Sequence, residues 1–440
     1  MPTLQSEELR LLADGLRLRR AAPDDVEAIA ELQARAHSDA GWDTPDEGVR
    51  FWIRDLLTRP HPTFRPADFV VVEVLQTGAI VSSMCLISQT WRYGPIPFGV
   101  GRPELVATHP DYRRRGLVRA QFELVHALSA ERGELLQAIT GIPWYYRQFG
   151  YEMALSLYGA RIGYAPQVPA LKEGEVEPYR LRPATEEDVP FLMAVEEHAA
   201  ARSVVGCVRD AAMWRYELGG RSPEAAERRQ WWIIETSEGE RVGFLAHPGV
   251  LWNTTIYATA YELREGVSWL AVTPAVVRYL WAYGSSKGKC LGFGFSLGET
   301  HPVYEAFSAG LPRIQPPYAW YLRVPDLPAF LRHVAPVLET RLAQSVAAGH
   351  TGVLTLGFYR SGVRLTFERG RIAEVAPWEP QGNDTGAAAF PNLTFLQLLF
   401  GYRALAELRA AFPDCYANAE ATVLLNALFP KQPSSVWPVS

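Results

Sequence analysis

The run 16–20 alternates apolar and charged residues and predicts a half-buried strand. Pro23-Asp24-Asp25 then opens a helix, its carboxylates favouring the N-terminus, and Val26, Ile29, Ala30 and Leu32 follow near a 3.6-residue period. Strand patterns at 68–75 and 79–89 flank Gln76-Thr77-Gly78, which reads as a hairpin turn. A strand ending at Leu105-Val106-Ala107-Thr108 passes through a short turn into Arg113-Arg114-Arg115-Gly116. A helix over 117–131, ended by Gly133, comes next. Residues 135–140 predict a buried strand, and after the aromatic segment 145–151 a strand over 155–162 closes the unit.

The pattern then repeats. Tyr179-Arg180-Leu181-Arg182-Pro183-Ala184-Thr185-Glu186-Glu187-Asp188-Val189 shares x-Arg-Leu-Arg-x-Ala-x-x-acidic-Asp-Val with residues 16–26, at an offset of 163 residues. That spacing is about one domain, and the later order repeats as well. A hairpin falls at 231–235 and 241–246, a strand at Tyr261-Glu262-Leu263 and a helix at 273–283, and 302–311 rhymes with 143–151. Where the first copy has its basic turn, the second has Leu270-Ala271-Val272-Thr273-Pro274, with neither arginines nor glycine. The second copy therefore reads as a structural duplicate without an anion site. From Pro325 a third region predicts a helix over 329–346, kinked or broken at Pro336. Short strands at 352–359, 362–368 and 371–376 follow, then helices at 393–400, 404–412 and 419–428. The proline-rich end, 429–440, predicts an extended tail docked on a surface through Trp437.

A chain of 440 residues suggests about two to four domains. At 48% hydrophobic and 21% charged residues the composition is that of a soluble globular protein, and a net charge of −5 gives no footprint for nucleic acid. Cys85, Cys207, Cys290 and Cys415 are scattered with no Cys-x-x-Cys pair, which excludes a zinc ribbon, predicts no metal and suits a reducing cytoplasm. No signal peptide and no membrane-length apolar run is present, so the expected location is cytoplasmic, with no membrane partner.

The turn at 113–119 carries the chemistry. Arginines at a helix N-terminus oppose its dipole unless an anion is bound, and a strand-turn-helix start aims several backbone N–H groups at one spot suited to a pyrophosphate. His109 reads as a surface turn residue. After the first helix, Asp39, Asp43, Asp46 and Glu47 beside Trp42 could hold a cationic amine, although Pro45-Asp46-Glu47 is equally an ordinary helix start.

Arg113-x-x-Gly116-x-Val118 resembles the Gln/Arg-x-x-Gly-x-Gly/Ala signature of the GCN5-related N-acetyltransferase (GNAT) superfamily. The Arg-Arg-Arg-Gly-Leu-Val-Arg turn and the three-part layout resemble its Eis-like (enhanced intracellular survival) branch, whose members share the departure at Val118. The resemblance covers nearly the whole chain. It implies an α/β (α+β) fold: two tandem GNAT-like mixed-sheet domains, at 1–165 and a degenerate copy at 166–324, then a sterol-carrier-like domain at 325–440. It implies acetyl-CoA as co-substrate, its pantetheine arm along Val106, Ala107 and Thr108. The pyrophosphate falls on Arg114, Arg115, Gly116, Leu117, Val118 and Arg119, and Gly141 and Ile142 border the thioester. Alignment on Phe149-Gly150-Tyr151 places Tyr146, rather than Tyr145, as the general acid that protonates the leaving thiolate. The base is the C-terminal carboxylate, here Ser440. Known members end in an aromatic residue, whereas this chain ends Pro438-Val439-Ser440. The implied acceptor is a primary amine of a small polycationic, aminoglycoside-like molecule or a lysine side chain, and the implied assembly a homotrimer or hexamer. A non-catalytic lipid or sterol carrier and a transferase of longer acyl groups remain as alternatives.

Overall fold

A computed structural model describes residues 10–382 and 384–436. The architecture is mixed α/β, with four sheets among the described residues. The strand Phe69–Val74 shows how the first is buried. Phe69 and Val71 point to one face, against helices Val26–Ala36 and Glu47–Thr58, while Val70 and Val72 point to the other, against helix Leu117–Glu131. A strand covered on both faces reads as a continuous apolar run.

In this sheet, strand Ile80–Tyr93 lies between Phe69–Val74 and Ile96–Thr108, all antiparallel. Strand Ile96–Thr108 then meets Leu136–Ile139 in parallel, but only at Val100–Leu136 and Gly101–Gln137. Beyond Gly101 the two diverge, leaving the edge of 102–108 unpaired among the described residues.

The closing strand expected at 155–162 is in fact two strands. Tyr158 and Gly159 both have positive φ, 57° and 83°, and this reversal separates Glu152–Leu157 from Ala160–Tyr164. The first remains in the first sheet. The second pairs with Gly292–Phe295 and Arg313–Gln315 of the second copy. In return, Tyr318–Arg323 inserts between Leu136–Ile139 and Glu152–Leu157, and Val205–Val208 pairs with the end of Ile80–Tyr93. The sheets thus exchange strands across the chain positions expected to divide the units.

The repeated sequence pattern builds the same ion cluster twice. Arg19 binds Asp25 and Glu73; Arg182 binds Asp188 and Glu235. The second-copy helix spans Trp269–Ser286, four residues ahead of its predicted start, because Ser268 caps it. In the C-terminal region, helix Leu327–Ala343 runs through Pro336 as one element. The lost backbone bond is outweighed by a buried face of Phe330, Leu331, Val334, Leu338 and Leu342. These residues share one core with Trp91, Tyr93 and Phe98 of the first sheet and with Leu354, Leu365, Leu398 and Leu425. Tyr93 donates to the Leu399 carbonyl (2.8 Å), and Arg341 donates to Tyr93 (2.9 Å) and to the Leu428 carbonyl (2.8 Å).

Candidate active site

The site is built where the first sheet opens. Strand Ile80–Tyr93 slips register against Ile96–Thr108 between Ser83 and Cys85, and opposite the slip Leu105 has φ 57°. This bulge turns the end of the strand away from regular pairing. Buried Gln33 secures it, its amide donating to the Leu105 carbonyl (2.5 Å) and to Ser83 Oγ (2.8 Å). Ser82 Oγ lies 2.8 Å from each of the Ala107 carbonyl, Thr108 Oγ1 and Gln121 Oε1. Ala107 is buried, while Val106 and Thr108 are half-buried beside the open edge.

The turn leads to helix Leu117–Glu131. Its N-cap, Gly116, has φ 75° and offers no side-chain cap, and the first turn holds no acidic residue. The first helical bond runs from the Ala120 amide to the Gly116 carbonyl (3.1 Å). The amides of Leu117, Val118 and Arg119 are thus free of the helix's own carbonyls. Leu117 puts its side chain into the core, so only its backbone faces the turn. Arg114, Arg115, Gly116 and Arg119 are exposed and Val118 is half-buried. Arg115 stacks on Tyr112 (4.8 Å) and Arg119 on Phe149 (5.2 Å), which holds both cations beside the helix start.

Across the opening, Leu136–Ile139 ends at Gly141, whose φ is 116°. A β-carbon there would lie 3.7 Å from the Tyr146 hydroxyl, so the phenol looks directly at this backbone. Tyr146 is buried, and its hydroxyl makes no hydrogen bond among the described residues. Burial, with the negative charge of Glu104 adding, pushes its pKa well above the usual phenol value. Neighbouring Tyr151 differs: its hydroxyl is 2.8 Å from His126 Nε2. Ile142 is exposed, yet its carbonyl accepts from the Tyr321 hydroxyl (3.2 Å), which also accepts from the Trp144 amide. Trp144 has φ 63°, so Tyr321 holds a strained segment on both sides of the approach to Tyr146.

His109 is a turn residue, its Nδ1 accepting from the Asp111 amide (3.3 Å). Asp46 caps helix Glu47–Thr58 (3.0 Å), the ordinary reading of that acidic run. Ser440 lies outside the described residues. The tail is described to Val436 and is docked: the Val204 amide donates to Pro433 (2.8 Å) and the Ser435 amide to Val205 (2.9 Å). Pro433 to Val436 line a cavity of about 660 Å³, with the end of strand Glu152–Leu157, helix Val189–Ala200, strand Val205–Val208, the loop 296–301 and the short helix Pro302–Ala306. Tyr158 lies on its wall within electrostatic reach of Glu104, the carboxylate that also bears on Tyr146. Burial raises the pKa of Glu104, against the opposing pull of Arg102.

Sequence reasoning missed Gln33, Ser82, Glu104, Gln121 and Tyr321. The Ser82-Ser83 pair within an apolar strand was a visible signal for a buried polar network; nothing local marks Tyr321, because a distant strand delivers it.

The duplicated copy supplies an internal contrast. Ser268 accepts from the Ala271 amide and closes the helix start that Gly116 leaves open. Tyr304-x-x-Phe307 stands where the first copy has Tyr146-x-x-Phe149. The Tyr304 hydroxyl donates to the Phe295 carbonyl (2.8 Å) and accepts from the Leu297 amide (3.1 Å).

Residues 17–154 match the family model described as an acetyltransferase (GNAT) domain. Three solved structures share the fold over nearly full lengths. A protein of Enterococcus faecalis V583 described as a probable N-acyltransferase has a TM-score of 0.65 at 15% identity, covering 97% of this chain and 100% of its own. A GCN5-related N-acetyltransferase from Kribbella flavida has a TM-score of 0.62 at 17% identity, covering 96% and 97%. Eis1 from Mycobacterium abscessus has a TM-score of 0.58 at 16% identity, covering 94% and 98%. At these identities the likeness is one of fold. No curated protein matches the chain. The chain is a transferase enzyme on the strength of its acetyltransferase domain, which implies use of an acyl-CoA.

Proposed function

We propose that this chain is an Eis-like N-acetyltransferase that moves an acetyl group from acetyl-CoA to a primary amine in a ternary complex. The contrast between its two copies carries the reading: among the described residues the helix start at Gly116 and the Tyr146 hydroxyl have no internal partners, whereas their counterparts at Ser268 and Tyr304 do. Amides of residues 114–119 receive the pyrophosphate, and the open edge at 106–108 receives the pantetheine. The amine attacks the thioester carbonyl carbon beside Gly141 and Ile142. The carbon–sulfur bond then breaks, and Tyr146 gives its proton to the departing thiolate.

The attacking amine must also lose a proton, and the carboxylate of Ser440 is the base we propose. Its support is the path of the tail, which lines the cavity at Pro433 to Val436. Deleting Val439 and Ser440 is expected to lower turnover strongly while the melting temperature holds. Full activity in that truncation, with loss in Glu104→Gln, transfers the role to Glu104.

The carrier alternative is disfavoured because apolar side chains of the C-terminal region, among them Leu354, Phe367, Leu398 and Leu425, pack into one core with Trp91, Tyr93 and Phe98 of the first sheet. The test is a thermal shift with acetyl-CoA. Stabilisation that disappears in the Arg114→Ala, Gly116→Asp double variant supports the enzyme, and no shift in the parent overturns it. Thiol release with acetyl-CoA and octanoyl-CoA, over aminoglycosides, polyamines and lysine peptides, then measures acyl and acceptor preference. Light scattering tests the trimer or hexamer.

A further inference from the structure

The charges lining the 660 Å³ cavity are unevenly satisfied. Arg209 is paired with Glu196, Arg202 with Glu262, and Arg229 with Glu227. Arg161, from the exchanged strand Ala160–Tyr164, has no carboxylate partner among the described residues. It lies 4.7 Å over the Tyr304 ring and donates one long bond to the Tyr304 carbonyl (3.4 Å). Glu299 and Glu305 likewise have no cation partner among the described residues, and Glu299 only accepts from Ser156 Oγ (3.3 Å). A guanidinium fixed over an aromatic face and left without a counter-ion in a concave site is a receptor for an anion. Glutamates without a cation partner, on the neighbouring loop at 299 and on the short helix Pro302–Ala306 at 305, are receptors for ammonium. The lining, in which four arginines balance four glutamates, leaves groups of both signs without an ion-pair partner among the described residues; a ligand carrying only positive charge satisfies these in part and one carrying both charges satisfies them in full.

We propose that the acceptor is an amino-acid-type molecule that carries a carboxylate together with its amines, of the size and chemistry of a free diamino acid. Arg161 binds its carboxylate, Glu299 and Glu305 bind its α-ammonium, and the distal amine extends toward the thioester. The volume lies within the range of about 300–1,000 Å³ usual for small-molecule sites. This assignment rests on the acetyltransferase reading above and on the cavity being the acceptor's side of that site. It replaces the aminoglycoside-like acceptor with a zwitterionic one. The two tyrosine-bearing copies also acquire different tasks: the first reacts, and in the second Tyr304 supports the arginine that recognises the acceptor.

The experiment compares thiol release from acetyl-CoA with L-lysine, with cadaverine (lysine without its carboxylate) and with 6-aminohexanoate (lysine without its α-amine). L-lysine is expected to exceed cadaverine in kcat/KM by about tenfold or more, the scale of one charge-assisted pair. Arg161→Gln should collapse that ratio to about one, and Arg161→Lys should restore part of it. Glu299→Gln should bring L-lysine down toward 6-aminohexanoate. Cadaverine or spermidine equalling L-lysine overturns the proposal, as does an unchanged ratio in Arg161→Gln. If acetyl-CoA stabilises the protein but none of these amines releases thiol, the acceptor assignment falls and the cofactor site stands. If acetyl-CoA does not stabilise it, the enzymatic reading itself fails. Stabilisation of each variant by acetyl-CoA reports that it is folded.

Discussion

Burial, with Glu104 and neighbouring phenols adding, raises the Tyr146 pKa, so the hydroxyl carries its proton at neutral pH. Replacing it with phenylalanine removes one hydroxyl from an aromatic cluster that otherwise stays packed. Tyr146→Phe should therefore lower kcat by about 10²-fold or more with KM for acetyl-CoA nearly constant, whereas Tyr145→Phe should change little. Steady-state kinetics on the two variants reads this directly. His126 offers a separate test on stability. Burial, with Arg323 adding, depresses its pKa from 6.5 to about 3, so the ring facing Tyr151 is neutral in the folded protein. The unfolded chain takes up that proton as pH falls through 6.5, and the folded chain does so only near 3. The stability the neutral ring contributes is thus present above 6.5 and is lost progressively on acidification below it. His126→Gln should flatten the acid side of the plot of melting temperature against pH.

The helix start at Gly116 is the element we propose receives the cofactor. A residue with a β-carbon placed at φ 75° costs about 1–2 kcal/mol in backbone strain, though no neighbouring atom obstructs it. Gly116→Ala should therefore raise KM for acetyl-CoA several-fold by tilting the amides, with kcat at saturation nearly maintained. This element was legible in the chain, because a basic triplet, a glycine and a 3.6-residue period are all local. The strand Tyr318–Arg323 was not. It carries Tyr321 to Trp144 and Ile142 across a separation of about 180 residues, and no short window reports such a pairing. Tyr321→Phe leaves the Trp144 amide without its partner. It should lower kcat more than it raises KM for acetyl-CoA, since the segment it holds leads to Tyr146.

Exchange of strands makes the first two units interdependent. The first sheet is completed by Tyr318–Arg323, whose Trp320, Tyr321 and Leu322 are fully buried, while Ala160–Tyr164 is given up to the second. A chain ending at residue 165 would expose the edges of two strands and part of their core. It should fail to give a cooperative thermal transition by circular dichroism, whereas the whole chain should give one involving both units. The C-terminal region is bound to the same core through Tyr93 and Arg341, so it belongs to the scaffold that presents the tail to the cavity.

The amino-acid sequence by itself determined the duplicated pattern and the basic turn before Leu117. Each is written in a short window of residue types and periods. Tertiary structure alone decided that the Tyr146 hydroxyl makes no hydrogen bond among the described residues while Tyr304 is bonded, that Tyr321 reaches the segment before Tyr146, and that Arg161 lines a cavity with no carboxylate partner among the described residues. The physical reason is range. Periodicity reports which face of an element is buried, but the partner that satisfies a hydroxyl or a guanidinium arrives from wherever the chain's strands happen to pair.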